Sequence, residues 1–196
     1  LLQYFRHHGF TINKRAQVLG MLTRTSKGLC AAGTHGKTTT SSMAAHLLYQ
    51  SQVGCDAFLG GISKNYGTNL LLSDKSEYVV IEADEFDRSF LQLFPEVAVI
   101  TSMDADHLDI YGDEAHIRQA FKDFASQVSG TVIVKIGLDI TADDTKAEIK
   151  TYAFGDATAD FYAQPGADGH FDLHYPGGVI EDCVVGIPGW VNIENG

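Results

Sequence analysis

The order of apolar runs along this chain predicts an α/β fold: a mostly parallel sheet flanked by helices, with a small antiparallel β addition toward the C-terminus. Three observations carry that prediction. Short unbroken apolar runs at 28–32, 78–81, 97–100 and 131–134 read as strands buried on both faces. Helical periodicity separates them. Residues 37–51 place Met43, Ala44, Leu47 and Leu48 on one face, and 114–128 carry Ile117, Ala120, Phe121, Phe124 and Val128 at helical spacing. After about residue 150 the helical pattern stops. The runs Thr151–Phe154 and Phe161–Ala163, with glycine-rich breaks at 166–169 and 177–178, read as antiparallel strands and hairpins.

The leading residues 1–25 mix Leu1, Leu2, Phe5, Val18, Leu19, Met21 and Leu22 with polar positions and read as helical pieces entering the main domain. A length of 196 residues suits one domain with a sizeable core and at most one further fragment. The 44% hydrophobic content is that of an ordinary globular protein, and no run of eighteen apolar residues suggests membrane insertion. A net charge of −11 argues against a general nucleic-acid binder, while leaving room for a local phosphate site. Cys30, Cys55 and Cys183 form no CxxC pair and read as free thiols, which fits a cytoplasmic protein. The chain opens Leu-Leu and stops at Asn195-Gly196 with no closing element before it, so a piece of a larger protein is expected. Oligomeric state is not written in any of these features.

The strongest motif is Ala32-Gly33-Thr34-His35-Gly36-Lys37-Thr38-Thr39-Thr40, between the first strand and the first long helix. Glycines let successive backbone N–H groups turn inward, and a helix N-terminus adds partial positive charge. Lys37 is placed to reach the outer phosphates and the Thr38 hydroxyl to hold magnesium. This is a P-loop NTPase-like topology with a shortened motif, since Ala31 stands where the common pattern has its first glycine.

Two further strand ends carry acids. The second strand runs into Glu82-Ala83-Asp84-Glu85-Phe86-Asp87-Arg88, and Glu82, first after the apolar run, is the candidate metal ligand. Asp84, Glu85 and Asp87 read equally well as a solvated acidic loop. The third strand is followed by Asp104-Ala105-Asp106-His107-Leu108-Asp109, which could assemble a second cation site. Magnesium prefers oxygen whereas manganese accepts imidazole as well, so spacing alone leaves His107 open between ligand and structural histidine. His35, inside the loop, is open between position-setting and substrate contact.

Taken together, Gly33 to Thr39, Glu82 to Glu85 and Asp106-His107-Leu108-Asp109-Ile110-Tyr111-Gly112 resemble the central domain of Mur ligases, which make successive peptide bonds in the peptidoglycan precursor. Lys14 to Gly20, Phe58 to Asn65 and Asp87 to Phe90 support the resemblance, which is nearest to the branch that joins L-alanine to UDP-N-acetylmuramate. It implies that residues 1–25 connect from an N-terminal UDP-binding domain and that 26–196 are the central ATP-binding domain. A C-terminal domain closing over ATP would then follow.

By the same resemblance ATP is bound by Gly33, Thr34, His35, Gly36, Lys37, Thr38 and Thr39. Thr38 and Glu82 take one Mg2+ (Mn2+ as an alternative) and His107 a second, so Lys37, Glu82 and His107 form the catalytic set. The terminal Gly189-Trp190-Val191-Asn192-Ile193-Glu194-Asn195 resembles the family's adenine segment, with Asn192 and Asn195 facing the base and Val191 where a histidine is usual. The Gly60–Asn69 stretch resembles a loop that meets the UDP-sugar, giving Gly61, Asn65 and Asn69 as substrate candidates beside His35, Asp84 and Arg88. The implied reaction phosphorylates the lactyl carboxylate to an acyl phosphate, which the amine of L-alanine attacks. It needs alignment and charge neutralisation rather than a protein nucleophile. The middle domain alone is expected to fold without ligating. Rival readings are the recycling ligase that attaches a tripeptide, a folylpolyglutamate ligase, a P-loop NTPase without ligation and a non-catalytic nucleotide-binding module.

Overall fold

The structure, a computed structural model, describes residues 1–104 and 108–196. The chain runs α1 (Leu2–His7), α2 (Arg15–Thr25), β1 (Lys27–Ala32), α3 (Lys37–Gln50), β2 (Asp56–Ser63), β3 (Thr68–Leu71) and β4 (Tyr78–Glu82). A 3-10 segment at Phe86–Gln92 leads to β5 (Val97–Ile100), α4 (Leu108–Tyr111) and α5 (Glu114–Ser126). Then come β6 (Thr131–Lys135), β7 (Glu148–Phe154), β8 (Phe161–Pro165), β9 (His170–Tyr175), β10 (Gly178–Val184) and α6 (Trp190–Asn195). Among the described residues the ten strands join one sheet in the order β10-β9-β8-β7-β6-β5-β1-β4-β2-β3.

The apolar runs behave as doubly buried strands should. β4 alternates: Val79 and Ile81 enter one core and Val80 the other. The larger core lies on the face where Leu19, Phe90, Ile117, Phe121 and Phe124 pack against Cys30, Ile81, Ala98 and Val132. The rings of Phe121 and Phe124 sit 5.3 and 5.0 Å from that of Phe90. On the opposite face Ala45 of α3 covers Ala57, Leu59 and Val80. Asp113 starts α5 by accepting the amide of His116, as an N-cap does.

β1 pairs in parallel with β4 on one side and β5 on the other. The chain leaves β1 through α3 toward β2 and β4, and only later crosses to β5. The order therefore reverses at β1, and a crevice opens at the carboxyl ends of β1, β4 and β5, the place where open α/β sheets bind ligands.

Two expectations change. Gly60–Asn69 is not a loop: β2 extends through it to Ser63, and β3 returns antiparallel after a turn closed by Gly67 N–H donating to Ser63 O at 2.8 Å. Adjacent glycines hid the strand, because glycine removes the side-chain alternation by which a strand is recognised. The segment at 151–154 is a strand but not an antiparallel one, since β7 runs parallel to β6 and to β8. The segment at 161–163 lies in β8, which is parallel to β7 on one side and antiparallel to β9 on the other. Only the β8/β9 and β9/β10 pairs are antiparallel in this region. So short a parallel crossover works because β8 begins beside Tyr152, near the end of β7, so the chain retraces only a few residues. The Asp160 carboxylate accepts from the Thr151 amide and hydroxyl at 2.8 and 2.9 Å and holds the link closed.

Among the described residues no helix is long and apolar enough to cross a membrane. Cys30 and Cys55 are buried; burial pushes the Cys30 thiol far up and that of Cys55 to about 11, whereas Cys183 is half-buried. Thiol titration of the native domain at pH 8 is therefore expected to modify Cys183 quickly and the other two only on unfolding. Phe121→Ala, at a fully buried position, is expected to cost about 3–5 kcal/mol in urea unfolding.

Candidate phosphate and cation site

The loop between β1 and α3 turns on two glycines in left-handed conformation, Gly33 (φ 138°) and Gly36 (φ 85°). Each is also required by close approach. A Cβ on Gly33 would run into Thr101 Oγ1 and lie 2.9 Å from Ser102 N, and one on Gly36 would lie 2.7 Å from Asn195 Oδ1. The tip of β5 fixes the loop. Ser102 O accepts the Thr34 amide at 3.3 Å, Ser102 Oγ accepts the His35 amide at 2.8 Å, and the Thr101 hydroxyl donates to the carbonyls of Ala32 and His35. Gly36 caps α3 without a side-chain partner. The amides of Lys37, Thr38 and Thr39 in the first turn thus have no intrahelical acceptors, the arrangement by which a helix N-terminus can hold an anion.

Beside the loop, the Thr38 hydroxyl donates to Glu82 Oε1 at 3.0 Å, and the Gly60 amide donates to Glu82 Oε2 at 3.0 Å. Parallel pairing of Ala31 with Glu82 and of Phe58 with Ile81 brings these groups together. A hydroxyl and a carboxylate are hard oxygen donors at the mouth of a phosphate loop, a set that fits magnesium held partly by nucleotide oxygens. Gly60 sits here because a Cβ would overlap the Glu82 carboxylate.

Lys37 sits in a buried pair. Its Nζ donates to Gly33 O at 2.7 Å and to the Glu85 carboxylate at 2.9 Å, with Glu85 only 1% exposed. Tyr111, itself buried, donates its hydroxyl to Glu85 O at 2.6 Å. Burial first, then the neighbouring Glu85, raises the Tyr111 hydroxyl to about 12, so it stays a donor at neutral pH. Glu85 thus positions the loop lysine. In the sequence it is one acid among several, and only its packing singles it out.

The other candidates divide. Thr34 is buried, its hydroxyl bonded to Ser102 Oγ at 2.9 Å, and Asp104 Oδ2 lies 3.9 Å from the exposed His35 Nε2. Asn69 and Asp84 line a cleft of about 280 Å³ together with Arg15, Leu59, Gly60 and Glu82. Gly61 lies next to Thr38, its Cβ direction meeting Thr38 Cγ2 at 4.0 Å. Asn65 lies elsewhere, on the hairpin turn, with its amide 3.5 Å from His46 of α3. Arg88 lies over the Tyr111 ring at 5.3 Å, on a backbone where Asp87 and Arg88 both take positive φ. Asn195 sits over Gly36, while Asn192 turns its amide to Pro188 O at 2.8 Å. Lys135 ties α6 to the sheet through Glu194 at 2.9 Å. His107 lies outside the described residues.

Two outcomes follow from this geometry. Gly60→Ala is expected to leave the urea midpoint nearly unchanged, because only a side-chain tip must move, yet to weaken magnesium-dependent nucleotide binding at least tenfold by calorimetry. Removing one partner of the buried pair by Lys37→Ala is expected to cost about 3–5 kcal/mol of stability. The double variant Lys37→Met/Glu85→Gln is expected to recover most of that loss in the same unfolding assay.

Comparison with known proteins agrees with this architecture. Residues 31–196 match the Mur ligase middle domain. A UDP-N-acetylmuramate–L-alanine ligase of Phocaeicola vulgatus is 55% identical over 98% of this chain and 43% of its own length. One from Porphyromonas gingivalis is 50% identical over 99% of this chain and 44% of its own length. The chain therefore spans less than half the length of these relatives. Among solved structures, the UDP-N-acetylmuramate:L-alanyl-gamma-D-glutamyl-meso-diaminopimelate ligase of Neisseria meningitides superposes with TM-score 0.79 at 25% identity, over 99% of this chain and 67% of that one. The UDP-N-acetylmuramate-alanine ligase of Thermotoga maritima does so with TM-score 0.74 at 22% identity, over 99% and 45%. With the phosphate loop, the Glu82 carboxylate and the parallel switch point in place, this chain belongs to the Mur ligase family and forms its middle domain.

Proposed function

We propose that this chain supplies the ATP and Mg2+ site of a cytoplasmic ligase that joins L-alanine to UDP-N-acetylmuramate. The observation that carries the reading is the convergence of Lys37, Thr38 and Glu82 on one loop in a chain 55% identical to an alanine-adding relative. The preference for alanine over tripeptide rests on the relatives at 55 and 50% identity, both named for L-alanine. The solved structures, at 25% for the tripeptide ligase and 22% for the alanine ligase, do not separate the two.

In this reading the amides of residues 37–39 and the Lys37 ammonium hold the outer phosphates, and Glu85 keeps that ammonium at the loop mouth. Magnesium, when bound by Thr38 and Glu82, neutralises charge on the transferring phosphoryl group. The acceptor carboxylate enters through the cleft beside Glu82 and attacks the terminal phosphorus, breaking its bond to the bridging oxygen so that ADP leaves. The amine of alanine then displaces phosphate from the acyl phosphate. No protein nucleophile takes part; the chain aligns two anions and screens their repulsion. Asn195, over Gly36, is suited to the adenine side. His107 is assigned the second cation on the family resemblance alone. The remaining domains are assigned to the rest of the longer protein.

The test is turnover by the full-length protein. Phosphate release is expected to require ATP, Mg2+, UDP-N-acetylmuramate and L-alanine together, with the tripeptide a poor replacement for alanine. Phosphate release at the same rate without the sugar nucleotide would instead identify an NTPase. Lys37→Ala and Glu82→Gln are each expected to lower kcat by about 10²–10³-fold or more. The 196-residue chain by itself is expected to give no ligation product.

A further inference from the structure

The cleft beside Glu82 has one wall that the reaction chemistry above leaves unused. Its lining contains two carboxylates, Glu82 and Asp84, and one cation, Arg15. Among the described residues no carboxylate lies within ion-pair distance of Arg15, although its neighbour Lys14 pairs with Asp87 at 3.4 Å. Arg15 is exposed on this wall, so its guanidinium is open to an anion that enters the cleft.

The placement of Arg15 also runs against helix electrostatics. It is the first residue of α2, following Lys14 at the N-cap, and the first turn contains no acid. The N-terminus of a helix is its positive end, where cations are disfavoured and anions bind. Two basic side chains are thus concentrated on an end that is already positive. Local rules are broken in this way mainly at functional sites. α2 is held there firmly: Gly20 packs against the Gln92 carbonyl with no space for a Cβ, and Thr23 Oγ1 accepts the Phe94 amide at 3.0 Å.

We propose that Arg15 is a specificity-determining residue that binds the carboxylate to be activated, across the cleft from Thr38 and Glu82. This rests on the ligase reading given above. The group bound must lie next to the metal-ligating carboxylate and yet be anionic, and a planar guanidinium pairs with a planar carboxylate through two parallel N–H donors. A diphosphate of the same sugar nucleotide shares the anionic chemistry, and the experiment separates the two sources.

The test uses the full-length protein with Arg15→Gln and Arg15→Lys. For Arg15→Gln the KM for UDP-N-acetylmuramate is expected to rise at least tenfold, with the KM for ATP within twofold of wild type. Arg15→Lys is expected to recover only part of the loss. Calorimetry then compares UDP-N-acetylmuramate with the same sugar nucleotide lacking the lactyl group. Weaker binding of the first alone supports the carboxylate assignment; equal weakening of both overturns it in favour of the diphosphate. Unchanged constants for both in an otherwise active enzyme overturn the Arg15 role and leave the ligase reading intact. A wild-type protein that neither binds nor consumes UDP-N-acetylmuramate removes both.

Discussion

The site depends on the level at which three parallel strands end. β1 pairs with β4 so that Ala31 lies beside Glu82, and with β5 so that Ala32 lies beside Ile100. Main-chain hydrogen bonds set that register, and a slip of one residue would turn every side chain to the opposite face. With the register fixed, the glycine turn after β1 meets Thr101 and Ser102 on one flank and Glu82 on the other. Neither the left-handed glycines nor the exposed amides of α3 would hold their shape without those flanks.

Charge is arranged around the same level. The chain is acidic overall, yet its loop gathers a helix N-terminus and Lys37, and that lysine is neutralised by Glu85 at 1% exposure. A buried ion pair contributes little net stability, but losing one member leaves a desolvated charge. Such a pair is better understood as fixing where the ammonium sits than as strengthening the fold. Glu82 is used differently: its oxygens take a hydroxyl and an amide, both neutral donors, and keep lone pairs for a cation. Two acids three residues apart therefore serve opposite ends of the same electrostatic problem.

Much of this was legible in the sequence because the signals were local. An apolar run names a buried strand, and Gly-x-x-Gly-Lys-Thr between strand and helix names a phosphate loop. What was not legible depended on pairing across the chain. Gly60 and Gly61 concealed β2, which is held in the sheet by its partner β4 rather than by its own alternation. The direction of β7 and β8 follows from their stagger, which composition does not encode. Glu85 and Asp84 look alike in sequence and separate only when one is buried against Lys37 and the other lines the cleft. Asn65 and Asn69 likewise share a segment but face different neighbours, the first against α3 and the second toward Glu82.

The central claim is that phosphate and metal meet at the tips of β1 and β4. Anomalous diffraction from crystals of the full-length protein grown with a non-hydrolysable ATP analogue and Mn2+ tests it most directly. The account predicts a manganese peak within bonding distance of both Thr38 Oγ1 and Glu82, with the analogue's phosphates against the amides of residues 37–39. A manganese peak remote from both side chains, or phosphates lying away from that helix end, would contradict it.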